Sequence, residues 1–333
     1  MKKIGITTTV PIEVLLAAGY KVVDLNNAFI VSDDYREYIH DAEKYGFPKS
    51  MCAWIKGIYS ACISEGIKEV VAVVEGDCSN TKVLLELFKE KGIKLYPFSY
   101  PHSHKIEDIT REIDNFISLF NVSIEEVENI RNKINIIREK AKKIDELTLE
   151  GKVSGFENHI TQLCLSDFDG DLDKYDRFLD EKLEEIEKRT PDIKKINLGL
   201  IGVPTMFSDL HEFVEKFDSR IIYNEVPREF AFPRATKYDN IYEQYYDYTY
   251  PYDIDYRIQE LEKQIKDRKL DGIIHYTQSF CHRAMEDIII KNRLNIPVLN
   301  IEGDKDDKLD ARTKLRIEAF LDMLLDLKKR GNK

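Results

Sequence analysis

Short apolar runs alternate with amphipathic stretches along the first hundred residues, and this alternation constrains the fold more than any other feature. Residues 4–7 predict a strand, Pro11 opens a predicted helix, and the run of residues 70–74 predicts a strand buried on both faces. Residues 94–96 predict a further strand, which Pro97 is expected to end. Strands and helices that alternate in this way are typical of a parallel sheet, so we expect an α/β fold.

The strand and helix pattern returns in the last third of the chain, after a stretch with a different period. Residues 105–190 carry apolar side chains at spacings of three, four and seven, which predicts long helices. Four further apolar runs lie beyond residue 195, and residues 224–229 between them predict an acidic loop. We therefore expect an N-terminal α/β domain at 1–104, a helical connector at 105–190 and a C-terminal α/β domain at 191–333.

Length and charge limit the possible functions. The chain has 333 residues, enough for two domains, and a net charge of −11 from 50 Lys and Arg against 61 Asp and Glu. Its basic runs are interleaved with acidic residues, whereas a nucleic-acid-binding face needs clustered Lys and Arg. We therefore expect no nucleic acid partner.

The first residues predict a cytoplasmic protein. They reach the polar run of residues 7–9 almost at once, without the apolar stretch of a signal peptide. The longest apolar runs, such as residues 70–74, have about five residues where a membrane span needs about 20. We expect no membrane span, and in the reducing cytoplasm disulfides are rare.

The five cysteines divide into two groups by their position in the predicted elements. Cys78 and Cys281 each follow a predicted strand, and Cys52 lies at the start of a predicted helix, where the helix dipole favours a thiolate. Ligands of open α/β sheets bind outside the carboxyl ends of the strands, so these three are candidate site residues. Cys62 and Cys164 lie on predicted helices and are expected to be core residues.

The spacing of the three candidate cysteines leaves several interpretations open. Three thiolates from separate segments suit an iron–sulfur cluster with an open fourth position, or a zinc site with an outside ligand. Buried structural cysteines in a metal-free binding or assembly protein are the alternative. The sequence has no Cys-x-x-Cys, no dinucleotide-binding fingerprint, no P-loop and no Gly-x-Ser-x-Gly, which excludes the familiar enzyme classes that depend on those motifs.

Several segments together resemble the 2-hydroxyacyl-CoA dehydratase D-component family, which includes benzoyl-CoA reductase subunits and double-cubane cluster proteins. They are Val-Pro-Ile-Glu-Val-Leu-Leu-Ala-Ala-Gly-Tyr at 10–20, the helix that begins near Cys52, Asp77-Cys78 after a strand, Ile-Pro-Val-Leu-Asn-Ile-Glu-Gly-Asp at 296–304, and Leu-Arg-Ile-Glu-Ala-Phe-Leu at 315–321. The resemblance covers nearly the whole chain, in order.

The resemblance implies a fold, a cofactor and a reaction. The fold would be two open parallel-sheet, flavodoxin-like domains joined by a helical segment, with one 4Fe-4S cluster per chain between them, ligated by Cys52, Cys78 and Cys281. An ATP-dependent activator protein would supply one electron, which passes to the thioester of a 2-hydroxyacyl-CoA. The resulting ketyl radical would lose its hydroxyl group and give an enoyl-CoA. An open iron can bind an oxygen while it transfers an electron.

The resemblance leaves the substrate and the assembly undecided. The chain is shorter than typical dehydratase subunits, and these enzymes usually pair two related subunits, so either a homodimer or a heterodimer with a related subunit is expected. The alternative function is an electron-transfer protein or a small-molecule reductase of the same fold, including the double-cubane type.

Polar residues beside the three cysteines are candidates for positioning or proton transfer. We select His275, His282 and Ser79 as candidate catalytic residues. The other polar neighbours of the proposed ligands are Asp77, Asn80, Gln278 and Ser279.

Overall fold

Eight parallel strands form two separate four-stranded sheets in the computed structural model, which describes residues 2–32, 35–231, 237–248, 251 and 253–331. The chain divides into two compact units. Unit 1 comprises Met1–Ala141, Leu163–Glu181 and Glu229–Asp253, and unit 2 comprises Lys142–Gln162, Lys182–Arg228 and Ile254–Lys333.

Unit 1 contains the first sheet. Its strands are β1 (Lys2–Ile6), β2 (Tyr20–Asp24), β3 (Glu69–Glu75) and β4 (Lys94–Ser99). Its helices are α1 (Ile12–Ala17), α2 (Leu25–Ile30), α3 (Tyr35–Tyr45), α4 (Ala53–Ser64), α5 (Ser79–Glu90), α6 (Ile106–Leu119), most of α7 (Ile124–Leu149), and, in the later segments, most of α9 (Leu172–Glu187) and α12 (Ile241–Tyr246). Two single 3₁₀ turns, Cys164–Ser166 and Phe168–Gly170, precede α9.

Unit 2 contains the second sheet. Its strands are β5 (Ile196–Gly202), β6 (Ser219–Asn224), β7 (Gly272–Gln278) and β8 (Val298–Gly303). Its helices are most of α8 (Gly155–Leu163), α10 (Leu210–Glu215), the first part of α11 (Glu225–Ala231), α13 (Ile254–Asp267), α14 (Arg283–Arg293) and α15 (Ala311–Gly331).

The two sheets have the same topology. The strand order is β2-β1-β3-β4 in unit 1 and β6-β5-β7-β8 in unit 2, and every pairing is parallel. This is the order with which flavodoxin-like sheets begin, so the prediction of two open parallel-sheet domains is confirmed. In each sheet the second strand lies on one side of the first strand, β1 or β5, and the later strands are added on its other side.

Both faces of each sheet are covered, which explains the continuous apolar runs in the central strands. In unit 1, Val70 and Ala72 of β3 pack with α4 and α5, while Phe98 of β4 packs edge-on against Phe116 of α6. In unit 2, Ile274 belongs to a buried cluster that includes α10 and α15, and Ile273 belongs to one that includes α13 and α14. Removal of apolar surface from water, which contributes about 25 cal/mol per Å², is the main stabilising contribution in such a core.

Residues of the predicted connector 105–190 are shared between the two units. Helix α6 and most of α7 belong to unit 1, whereas residues 142–162 and 182–190 belong to unit 2. The amphipathic spacing therefore predicted the helices themselves. The domain boundaries at 104 and 190 stay predictions.

Two local predictions were wrong. Strand β4 continues through Pro97, because β4 is the edge strand and pairs only with β3, so the missing N–H costs no ladder hydrogen bond. Residues 224–229 form the end of β6 and the start of α11 rather than an acidic surface loop. Glu225 is buried because Gly202 N (2.8 Å) and Arg257 (2.6 and 2.8 Å) donate to its carboxylate, and Pro227 lies in the first helical turn, where its missing N–H is tolerated.

None of the helices in the described part of the chain combines the length and the apolar character needed to cross a membrane.

Gly202 is the glycine whose replacement we expect to damage unit 2 most. Its φ is +106°, and a Cβ there would lie 2.0 Å from the carbonyl oxygen of Tyr276. Gly92, in unit 1, has a φ of +71°, and a Cβ added to Gly92 would have no neighbouring atom within 4 Å. We expect Gly202→Ala to lower the free energy of unfolding by about 3 kcal/mol or more, and Gly92→Ala by roughly 1–2 kcal/mol, the conformational cost alone. Urea unfolding of both variants tests this, and equal losses would contradict the packing described for Gly202.

Candidate functional site

Two of the candidate cysteines occupy equivalent places in the two sheets. Cys78 follows β3 by three residues, and Cys281 follows β7 by three residues. Strands β3 and β7 hold the same position in their sheets. Strand β3 lies beside β1 on the side opposite to β2, and β7 lies beside β5 on the side opposite to β6. The prediction that both cysteines lie just past the carboxyl ends of buried strands is confirmed.

Cys52 and Cys78 share a local structure in unit 1. Each is the N-cap residue of a twelve-residue helix, α4 or α5, with φ and ψ of −47° and 131° at Cys52 and −56° and 135° at Cys78. Both side chains are half-buried. The partial positive charge of a helix N-terminus favours a thiolate over a thiol at both positions.

The turn before Cys78 is sharply bent. Gly76 has a φ of +91°, and a Cβ there would lie 2.9 Å from side-chain atoms of Tyr100 and Pro251. Asp77 then accepts hydrogen bonds from the N–H of Cys78 (2.6 Å) and the hydroxyl of Thr81 (3.2 Å). These contacts fix the backbone at Cys78. Ser79 begins α5 with an exposed side chain.

The segment around Cys281 in unit 2 is tied to the neighbouring strand. Cys281 N donates to Gln278 O (3.0 Å), and Ser279 donates from its N–H to Gly303 O (3.0 Å) and from its hydroxyl to Glu302 (3.1 Å). Phe280 has a φ of +61° and a side chain that is 79% exposed. The half-buried Cys281 thus lies on a short turn held at both sides, just before α14.

The two candidate histidines have different environments. His275 is fully buried in β7, and its Nδ1 lies 3.1 Å from an oxygen of Asp287. Because that carboxylate is an acceptor, Nδ1 carries the hydrogen, and Nε2 is an acceptor without a partner in the described part of the chain. Burial and the positive charge of Arg257 lower the pKa of His275. His282 is exposed at the N-cap of α14.

A buried ionic network in unit 2 was missed by sequence reasoning. Arg257 of α13 donates to Glu225 and to Glu286, and Arg283 also donates to Glu286 (3.2 Å). Burial alone would raise the pKa of Glu225, but Arg257 holds it below its ordinary value. The network joins α11, α13 and the first turn of α14. The sequence showed only that residue 225 is charged, and charged residues usually lie at the protein surface, so the sequence did not predict a buried network.

The remaining two cysteines do not share the features of the first three. Cys62 is fully buried in the core beside β3, and burial raises its pKa to about 12. Its predicted core position is confirmed. Cys164 is instead half-buried in a 3₁₀ turn, so its predicted core position on a helix was wrong. Burial and the nearby carboxylates of Asp167 and Asp169 raise its pKa to about 12. Both thiols therefore hold little reactive thiolate at neutral pH in the metal-free protein.

Among the residues that the structure describes, no group of three or more His, Cys, Asp and Glu side chains is arranged to hold a metal ion. Unit 1 contributes Cys52, Cys78 and Ser79, and unit 2 contributes Cys281 and the two histidines. No disulfide joins any of the five cysteines, all of which are described. Taken singly, the half-buried sulfurs of Cys52, Cys78 and Cys281, each at or just before a helix N-terminus, have the chemistry of iron–sulfur ligands.

A family model matches nearly the whole chain. The family model for 2-hydroxyglutaryl-CoA dehydratase, D-component, matches residues 7–324. A search of curated proteins found no match.

The raised pKa values of Cys62 and Cys164 predict that these two thiols react more slowly than the other three. In iron-free protein at pH 8, we expect iodoacetamide to alkylate Cys52, Cys78 and Cys281 at least about tenfold faster than Cys62 and Cys164, because a thiol with a raised pKa holds little reactive thiolate. Peptide mass spectrometry over time measures the five rates. Alkylation of Cys62 as fast as that of Cys78 would contradict the assignment.

Proposed function

Because the chain belongs to the 2-hydroxyglutaryl-CoA dehydratase D-component family, we propose that it is the iron–sulfur subunit of a 2-hydroxyacyl-CoA dehydratase-type enzyme. Its reaction would remove water from a 2-hydroxyacyl-CoA thioester to give an enoyl-CoA. An ATP-dependent activator protein would supply the electron, and a second, related subunit or a second copy of the chain would complete the enzyme.

The observation that carries this proposal is the placement of three thiols at strand and helix ends. Cys52, Cys78 and Cys281 would hold a 4Fe-4S cluster with one iron left open, whereas Cys62 lies in the core and Cys164 in a 3₁₀ turn, so neither shares this placement. When bound, such a cluster supplies one electron and a Lewis-acid site for an oxygen atom. Three cysteines supply three ligands, which is the number that leaves one iron of a cubane open.

The chain's own residues stabilise the thiolates. The N-termini of α4 and α5 lower the energy of negative charge at Cys52 and Cys78, each by roughly 0.3–1 kcal/mol. The hydrogen bonds from Cys78 N and Thr81 to Asp77 hold the backbone in place, so little reorganisation accompanies ligation.

His275 would accept a hydrogen bond. Asp287 fixes the imidazole through Nδ1, and the lowered pKa keeps the ring neutral at pH 7, so the lone pair of Nε2 is available to a donor. His282 and Ser79 are exposed at the starts of α14 and α5, where their side chains would donate hydrogen bonds to a ligand near the cysteines.

The ligand assignment predicts the iron content of single variants. After strictly anaerobic purification we expect about four irons and four acid-labile sulfides per chain, a content lost in Cys52→Ala, Cys78→Ala and Cys281→Ala. Cys62→Ala is the matched control and should keep the full content, because its thiol is a core group. A wild-type chain without iron, or a Cys62→Ala variant that loses it, would contradict the assignment.

The proposed reaction is tested with the anaerobic protein, any subunit that co-purifies with it, an ATP-dependent activator, ATP and (R)-2-hydroxyglutaryl-CoA. Formation of the enoyl-CoA supports the dehydratase function. Reduction of a substrate without loss of water, by protein with the full iron content, would instead indicate a reductase of the same fold.

A further inference from the structure

The loop that follows β1 occupies the place where open α/β sheets bind ligands. Residues 7–11 connect β1 to α1, and β1 lies between β2 and β3, where the strand order reverses. Ligands of doubly wound sheets bind outside the carboxyl ends of the strands at this reversal. Cys78 follows the adjacent strand β3, so the loop and this cysteine lie at the same edge of one sheet in unit 1.

Side chains from three separate segments hold the backbone of this loop. Asn26 donates to the carbonyl oxygen of Thr7 (2.9 Å). The hydroxyl of Tyr100 donates to the carbonyl oxygen of Thr9 (2.9 Å), and the hydroxyl of Tyr245 lies 3.0 Å from the carbonyl oxygen of Val10. A loop with three of its carbonyls tied to the surrounding structure is preorganised. Any group that it presents is held in position before a ligand arrives.

A buried charge pair lies behind the loop. Arg138 donates to Glu13 (2.7 Å), and Tyr245 contacts the other oxygen of the same carboxylate (2.8 Å). Burial alone would raise the pKa of Glu13, but Arg138 and the hydrogen bonds hold it below its ordinary value. The two charges compensate each other, so this pair presents no net charge to a ligand.

The hydroxyls of Thr7 and Thr9 are the exception in this ordered loop. Both residues are about 95% buried, with exposures of 4% and 5%, and neither hydroxyl has a hydrogen-bond partner among the described residues. Buried Thr81 donates to Asp77 and buried Thr148 donates to Ile144 O (3.0 Å), whereas the hydroxyl of Thr277 in β7 also has no partner among the described residues. A buried hydroxyl without a partner is costly and calls for an explanation, and at the ligand-binding edge of a sheet a further bound group supplies one.

We propose that the hydroxyls of Thr7 and Thr9 bind an uncharged oxygen of the acyl group of a 2-hydroxyacyl-CoA, either its 2-hydroxyl or its thioester carbonyl. This inference rests on the proposed function for its substrate class. Asp77 after β3 is an acidic group beside the loop, which disfavours a carboxylate or a phosphate there. Two neutral hydroxyls are suited to hydrogen bonds with neutral oxygens and give specificity through those bonds.

Isosteric variants test the proposal by calorimetric binding to the anaerobically purified protein. The variants are Thr7→Val, Thr9→Val and the double variant, with Thr148→Val as the control, and the probes are lactoyl-CoA, propionyl-CoA and CoA. We expect each loop substitution to weaken lactoyl-CoA binding by about 3- to 15-fold and to leave CoA binding unchanged. Loss of affinity for lactoyl-CoA alone identifies the 2-hydroxyl as the bound oxygen, and equal loss for propionyl-CoA identifies the thioester carbonyl.

The melting temperature of the unliganded variants separates binding from structure. If the hydroxyls await a ligand, Thr7→Val and Thr9→Val should melt at or above the wild-type temperature, whereas Thr148→Val should melt below it because it loses a satisfied hydrogen bond. A fall for the loop variants that matches the control would overturn the proposal.

The binding results also separate this inference from the function on which it rests. Lactoyl-CoA affinities that are equal in the wild type and the loop variants would overturn the role of Thr7 and Thr9 and leave the dehydratase function standing. A wild-type protein that binds neither of the two thioesters nor CoA would overturn both.

Discussion

Parallel pairing of strands is the constraint on which the rest of this structure depends. Parallel strands end at one common edge, so residues far apart in the chain come together whenever they follow buried strands. In this protein the constraint operates twice, because both units use the same strand order. Cys78 and Cys281 are equivalent residues of this repeated plan, and Cys52 has been added in unit 1 at the start of the helix that leads into β3.

Each unit also stabilises the loop after its first strand with a buried Glu–Arg pair. In unit 1 the pair of Glu13 and Arg138 contacts Tyr245, which reaches the carbonyl of Val10. In unit 2 the carboxylate of Glu225, paired with Arg257, accepts the N–H of Gly202. Removal of one member of such a pair leaves an unpaired buried charge and costs about 3–5 kcal/mol. Both pairs therefore fix loops at the edge where ligands bind.

The sequence predicted the features that depend on local patterns. Runs such as residues 70–74 identified the buried strands, and the cysteines after them followed from that assignment. The repeat of topology was predicted by the family resemblance and not by an internal repeat, because the two units share little sequence beyond Val-Pro after β1 and after β5. Pro97 was misread since its tolerance depends on an edge position that only the sheet order defines. The environment of the loop of residues 7–11 depends on Asn26, Tyr100 and Tyr245, which are distant in sequence, so no local pattern could reveal it.

The central claim is that three cysteines hold a cubane cluster with one open iron. The Mössbauer spectrum of the protein reconstituted with iron-57 tests this most directly, because iron with a non-thiolate ligand gives a separate signal. We expect about four irons per chain, of which roughly one in four is distinct and changes when a 2-hydroxyacyl-CoA is added. Four equivalent thiolate-ligated irons, or no bound iron, would contradict it.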